Sequence, residues 1–239
     1  MNDDQSISDI IRHGKFESCR LIAAGSNYTF LAELRLDDRC IPAIYKPRNG
    51  ESPLWDFPSG TLYKREYAAY LLSQVLGWDL IPFTVIREGP HGIGTVQRYV
   101  EHDPRQNYYT LSEENREEYA AQLRNIACFD LVANSTDRKA NHLIVDPNGK
   151  LWSIDHGLTF HADTKIRTVI WDFCGEPIPE SLLTQLAALT KQLLNPQDRL
   201  KEMLALLRPE EGASLQQRLA WVLTERVYPG LPGRKGRRG

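Results

Sequence analysis

The chain has 239 residues, 41% of them hydrophobic, with 29 basic and 31 acidic side chains and a formal net charge of -2. That length can bury a sizeable core, as one large domain or as two small lobes around a shared cleft. The balanced charge excludes a global field that would draw the protein to nucleic acid or to an anionic membrane surface.

Cys19, Cys40, Cys128 and Cys174 stand far apart, which excludes a disulfide framework or a zinc ribbon. The amino terminus, Met1-Asn2-Asp3-Asp4, is acidic where a secretory signal is basic, and no apolar run approaches spanning length. The expectation is a cytoplasmic protein with no stable membrane insertion and no nucleic-acid partner.

In chain order, residues 18–24, 28–36 and 41–46 are short apolar or alternating runs, broken by Gly25-Ser26-Asn27 and Asp37-Asp38-Arg39, and predict three antiparallel strands. After the polar loop 47–60, Leu62, Tyr63, Tyr67, Tyr70, Leu71 and Val75 recur at helical spacing, predicting a helix from Leu62 to Leu76 that Gly77 ends. Strand-like runs at 83–87 and 94–100 complete a lobe of five strands and one helix. Beyond Asp103-Pro104 the character changes to helix. Ser112 is the expected N-cap of a long segment reaching about Val132, with Tyr119, Leu123, Ile126 and Leu131 in phase.

Residues 142–145 and 151–154 predict a hairpin around Asn148-Gly149. Leucine-rich runs from about Pro179 onward predict helices closing a second lobe. The expected fold is α+β and two-lobed: a β-rich lobe over 1–101, to which the residues below add nucleotide binding, and a helical lobe over 102–228. Residues 229–239, ending Arg234-Lys235-Gly236-Arg237-Arg238-Gly239, have almost nothing to bury and predict a disordered basic tail.

The chemistry concentrates in Asp137-Arg138-Lys139-Ala140-Asn141-His142 and Ile154-Asp155-His156-Gly157. A loop aspartate can orient a nucleophile, and a second aspartate beside a glycine can hold the divalent metal of ATP. Lys46, at the end of the third strand, can neutralise nucleotide phosphates, with Glu66 on the following helix fixing it by an ion pair. Either residue alone also reads as a surface charge, Glu66 especially beside Lys64 and Arg65; the pair together is informative. Gly25-Ser26-Asn27 can offer backbone amides and a hydroxyl to phosphates, or be an ordinary hairpin turn. Gln97, Tyr99 and Val100 form a connection whose backbone can meet an adenine edge, or a plain linker. His142, Asp155, His156 and His161 lack the H-E-x-x-H logic of a zinc site. Arg138 reads equally as a phosphate contact or as half of an internal ion pair.

Ile44-Tyr45-Lys46-Pro47, Arg65-Glu66-Tyr67-Ala68-Ala69, Gln97-Arg98-Tyr99-Val100, Asp137-Arg138 and Ile154-Asp155-His156-Gly157 together resemble the protein-kinase-like superfamily. The likeness is greatest to its phosphatidylinositol 3-/4-kinase-like branch and to HipA-type kinases. Pro53 to Pro58 and Lys165 to Trp171 further look like a small bacterial family within it. The likeness covers about residues 18–175.

The resemblance implies ATP with Mg²⁺ or Mn²⁺ as cofactors, Lys46 on the phosphates, Glu66 anchoring it, Asp137 orienting the acceptor and Asp155 on the metal. The second metal ligand is an asparagine five positions after the aspartate in the family. Here Asn141 is four away and His142 stands at five. His142 takes the metal position by register, with Asn141 as the alternative. The expected activity is phosphate transfer from ATP to an unidentified acceptor, a protein or small molecule before a lipid. A nucleotide-binding pseudokinase, or a kinase-fold enzyme moving another group, is the alternative.

Overall fold

The computed structural model describes residues 3–22, 27–114 and 116–230. Its element order is helix α1 (Asp3–His13), strands β1 (Lys15–Ile22), β2 (Thr29–Leu36) and β3 (Arg39–Pro47), helix α2 (Leu62–Leu76), then β4 (Thr84–Gly89) and β5 (Gly92–Arg98). Helices α3 (Tyr108–Glu114) and α4 (Arg116–Ala133), the hairpin β6 (Leu143–Val145) and β7 (Leu151–Ser153), and helices α5 (Glu180–Gln192), α6 (Asp198–Ala205) and α7 (Pro209–Glu225) follow.

The five strands form one antiparallel sheet in the order β1-β2-β3-β5-β4. β3 therefore lies at its centre, and its end at Lys46 and Pro47 is paired to Thr95 and Gly94 of β5, past the last β2 partner at Tyr45. Opposite that end, Gly94 pairs with Pro47, and a Cβ at position 94 would lie 2.3 Å from the Lys46 carbonyl oxygen. Only glycine lets β5 approach Lys46 this closely.

Two hydrophobic cores result. The smaller gathers Phe30, Ala32, Leu34, Ala43, Tyr45, Val85 and Val96 from the sheet under Ile10 and Ile11 of α1. The larger joins α3 to α7 and the hairpin, and it includes Ala68, Ala69, Leu71, Leu72 and Leu76 of α2. Helix α2 thus packs into the helical part, chiefly along α6, as well as against β4 and β5.

Several boundaries differ from the sequence expectation. Helix α1 is an addition that the sequence reading does not foresee, although Ile7, Ile10 and Ile11 carry helical spacing. Ser112 does not begin a helix but lies inside α3. The cap is Asn107, whose side-chain oxygen accepts from the Tyr109 amide at 2.9 Å while Thr110 Oγ1 accepts from the Asn107 amide at 3.0 Å. Arg65, to which the sequence reading gives no role of its own, is buried and pairs with buried Glu211 on α7. The first strand's end at 23–24, the Gly25-Ser26 part of the proposed phosphate turn and all but the start of the proposed tail lie outside the described residues.

Candidate functional site

Helix α2 ends as its sequence requires, with Gly77 at φ 69° and its amide bonded to Gln74 and Ser73 carbonyls. Its start is capped from a distance: Glu51 Oε1 accepts from the Tyr63 amide at 2.8 Å. Arg65 ties the helix to the second core, donating to the Thr159 carbonyl at 2.8 Å, pairing with Glu211 and lying over the Phe57 ring. The next residue, Glu66, is thereby aimed at the sheet.

Lys46 Nζ meets Glu66 Oε2 at 3.1 Å and Asp155 Oδ1 at 2.9 Å, joining groups separated by 20 and 109 positions in sequence. Burial alone pulls the ammonium's pKa down, but the carboxylates of Asp155 and Glu66 outweigh it and hold the lysine charged. Asp155 is held well below the usual carboxylate range, first by Lys46, against its burial. Glu66 Oε1 is buried without a partner among the described residues. Such an orphan acceptor marks a site where water or an ion completes the set.

Asp155 has φ 61°, a left-handed conformation that costs a non-glycine residue about 1–2 kcal/mol. Strain of this kind concentrates at functional sites. The conformation persists because both ends of the loop are fixed: the Ile154 amide donates to the His142 carbonyl at 3.0 Å, and the Phe160 amide to the Ala133 carbonyl at 2.7 Å. Buried Arg138 completes the frame. It pairs with buried Asp130 at 3.0 Å, donates to the Ile154 carbonyl at 2.9 Å and touches the His156 ring. Arg138 is thus half of an internal ion pair, and His156, edge-on to Phe129, is packing.

His142 is buried, and its Nε2 lies 3.2 Å from Asp155 Oδ2. Burial pushes its pKa down to about 4 against the attraction of Asp155, so the imidazole is neutral near pH 7. Asn141, its neighbour, is exposed.

Asp137 lines the same cleft as Lys46, Glu66 and Asp155, together with Asn27, Tyr63, Ser135 and Lys139. Its Oδ1 accepts from Arg167 at 2.7 Å and its Oδ2 pairs with Lys139 at 2.7 Å. Sequence reasoning missed both cations. Lys139 was findable two residues after Asp137. Arg167 is brought in by backbone pairing, the Arg138 amide to the Arg167 carbonyl and the Arg167 amide to the Ser135 carbonyl, both at 2.9 Å.

The remaining expected residues are placed as follows. Asn27 Oδ1 accepts from the Ser52 amide at 2.8 Å, which holds Asn27 on the cleft wall. Gln97 is buried, its amide donating to Thr84 Oγ1 at 2.9 Å within the sheet. Tyr99 is half-buried, and Val100 is buried against Ile144 and Trp152.

A small antiparallel sheet set on a helical body, with a strand lysine, a helix glutamate and two loop aspartates converging on the cleft, defines a kinase-like fold of the phosphotransferase class. A family model, phosphatidylinositol 3- and 4-kinase, matches residues 17–221, and the chain belongs to that family. It is 35% identical to Protein Rv2133c of Mycobacterium tuberculosis, over 98% of this chain and 94% of that protein. Among solved structures, the Golgi casein kinase matches with a TM-score of 0.58 at 16% identity, over 93% of this chain and 76% of that one. The same kinase with Mn/ADP bound matches with a TM-score of 0.60 at 17% identity and the same coverage. No helix among the described residues is long and apolar enough to cross a membrane.

Proposed function

We propose that the chain is an ATP-dependent phosphotransferase acting on a protein or small-molecule acceptor in the cytoplasm. The observation that carries this reading is the convergence of Lys46 with Glu66 and Asp155 at 3.1 and 2.9 Å, in a cleft that Asp137 also lines. Lys46 binds and neutralises nucleotide phosphates, and Glu66 keeps its ammonium aimed at them. Asn27, on the cleft wall, contacts the phosphates, and the Gln97-to-Val100 connection meets the adenine through its backbone. Asp137, steadied by Arg167 and Lys139, orients the acceptor hydroxyl and takes its proton.

The donor set fits a divalent cation. A carboxylate and a neutral imidazole face one another at 3.2 Å, and one or two protein ligands completed by phosphates and water are what such sites use. Asp155 and His142, rather than exposed Asn141, hold that cation, whose contribution is to neutralise charge on the phosphates.

Calorimetry with ATP analogue and Mg²⁺ or Mn²⁺ tests the reading, with saturable binding lost in Lys46→Met as the expected result. No binding by the wild type overturns it. His142 standing in place of an asparagine favours a second reading, a nucleotide-binding module without transfer. Turnover that disappears in Asp137→Ala excludes it, and mass spectrometry of the acceptor separates a phosphate from an adenylate increment.

A further inference from the structure

Within the kinase-like site His142 is the residue whose chemistry differs most from an oxygen-only cation site, and the structure gives it more than a place in the register. Its ring is buried, its carbonyl is held by the Ile154 amide at 3.0 Å, and its amide donates to the Lys139 carbonyl at 3.1 Å. The strand pairing of Leu143 with Ser153 continues directly from it. The imidazole is therefore fixed against Asp155 by the same hairpin that carries Asp155. Nε2 and Oδ2 stand 3.2 Å apart. Two neighbouring ligand atoms each about 2.1 Å from one octahedral ion lie about 3 Å apart, so the pair is pre-set to share a cation.

We propose that His142 and Asp155 form a mixed nitrogen–oxygen site that takes a first-row transition cation in preference to Mg²⁺. The proposal rests on the nucleotide-binding reading above. Magnesium is a hard ion that favours oxygen donors and keeps its waters, so an imidazole in place of an amide oxygen costs it affinity. Transition cations accept imidazole nitrogen readily, and their affinities for such a site rise from Mn²⁺ through Co²⁺ to Ni²⁺.

Proton accounting is compatible with this. In the resting arrangement Nδ1 accepts from the Lys139 amide at 3.4 Å, which leaves the proton on Nε2 facing Asp155. Coordination through Nε2 moves that proton to Nδ1, with no net release. The exchange turns the long hydrogen bond from Lys139 into two N–H groups facing one another, a cost the ion must offset, and replaces the Nε2–H contact to Asp155 by the shared ion. Lys46 keeps Asp155 Oδ1, so the carboxylate stays oriented while its other oxygen turns to the cation.

The test uses the full chain with ADP and Mn²⁺. Pulsed electron paramagnetic resonance of the bound Mn²⁺ is expected to show modulation from a directly coordinated nitrogen. The modulation should change to the ¹⁵N pattern when the protein's histidines are labelled, and vanish in His142→Asn. Competition titrations with ADP present should show the preference for Mn²⁺ over Mg²⁺ falling about tenfold or more in His142→Asn, with Co²⁺ losing more than Mn²⁺. The labelled wild-type measurement decides without any substitution. Bound Mn²⁺·ADP lacking histidine nitrogen modulation, or a Mn²⁺:Mg²⁺ preference unchanged in His142→Asn, overturns the inference and leaves the phosphotransferase reading standing. Absence of any ADP binding by calorimetry overturns both.

Discussion

The sheet core and the helical core contribute unequally to the site. The sheet, packed on α1, delivers Lys46. The helical core delivers Asp137, Asp155 and His142 on its loops, and through α2 it also fixes Glu66. The two acidic partners of Lys46 are thus anchored in one body and the lysine in the other. In this molecule the lysine–glutamate pair spans two cores, and the anchor of Glu66 is the buried contact of Arg65 with Glu211 and the Thr159 carbonyl.

The largest effect should come from removing the charges that meet across that boundary. Asp155→Asn and Lys46→Met are each expected to lower transfer from ATP by at least about a thousandfold, since positioning and charge neutralisation supply nearly all the catalysis in such chemistry. Initial rates of phosphate release or acceptor labelling check this. Equal losses fit a pair that works only when joined; a near-normal rate in Asp155→Asn would break the assignment of Asp155.

Next in size is the anchor itself. Arg65→Met leaves the buried Glu211 carboxylate with Arg208 alone, through its amide at 2.9 Å and its guanidinium at 3.3 Å, and should cost about 2–3 kcal/mol. The double change Arg65→Met with Glu211→Leu should recover only part of that loss, because Glu211 also caps α7. Urea unfolding of the two variants measures it. The anchor also predicts acid sensitivity. Burial raises the Glu211 carboxyl's pKa, but the Arg208 amide and the Arg65 guanidinium outweigh burial and hold it below its ordinary value of 4.5. A depressed carboxylate stabilises the fold above that value, and the stabilisation is lost as pH falls below it. Unfolding free energy should therefore decline more steeply below pH 4.5 in the wild type than in the double variant.

These anchors show how far the sequence could be read. The helix from Leu62 to Leu76 is legible to the residue, because aromatic and leucine spacing runs unbroken into Gly77. Lys46, Asp137 and Asp155 could be grouped from the sequence because each sits at the end of a strand or in a loop beside one, and the structure brings all three to one cleft. Arg65 is not legible, since one arginine between Lys64 and Glu66 looks like solvated surface, and its partner lies 146 positions away. Arg167 is hidden for the same reason, its place beside Asp137, 30 positions away, being set by backbone pairing to Ser135 and Arg138. Helix α1 is obscured by composition: Ile7, Ile10 and Ile11 are its only apolar residues among acidic and polar neighbours, and their worth appears only when the sheet covers them.

The sheet core is the smaller of the two, so its loss should be local. Ile10→Ala and Ile11→Ala each remove a buried aliphatic side chain and are expected to cost about 2–4 kcal/mol. Hydrogen exchange should quicken in β1 to β3 while α4, α5 and α7 keep their protection. Uniform loss across both parts would mean that the two cores unfold as one unit.

The smallest stability effect is expected at Arg167, and it sharpens what the helical side contributes to chemistry. Its side chain is 76% exposed, so the ion pair with Asp137 is largely solvated and worth about 0–1 kcal/mol to the fold. Arg167→Ala should therefore leave unfolding almost unchanged. Asp137 would keep Lys139 on one oxygen and lose its partner on the other, freeing the carboxylate to rotate away from an acceptor hydroxyl. A positioning role predicts slower transfer with nucleotide affinity unchanged, and substantial rescue by Arg167→Lys. An equal loss in nucleotide affinity would instead place Arg167 among the groups that bind ATP.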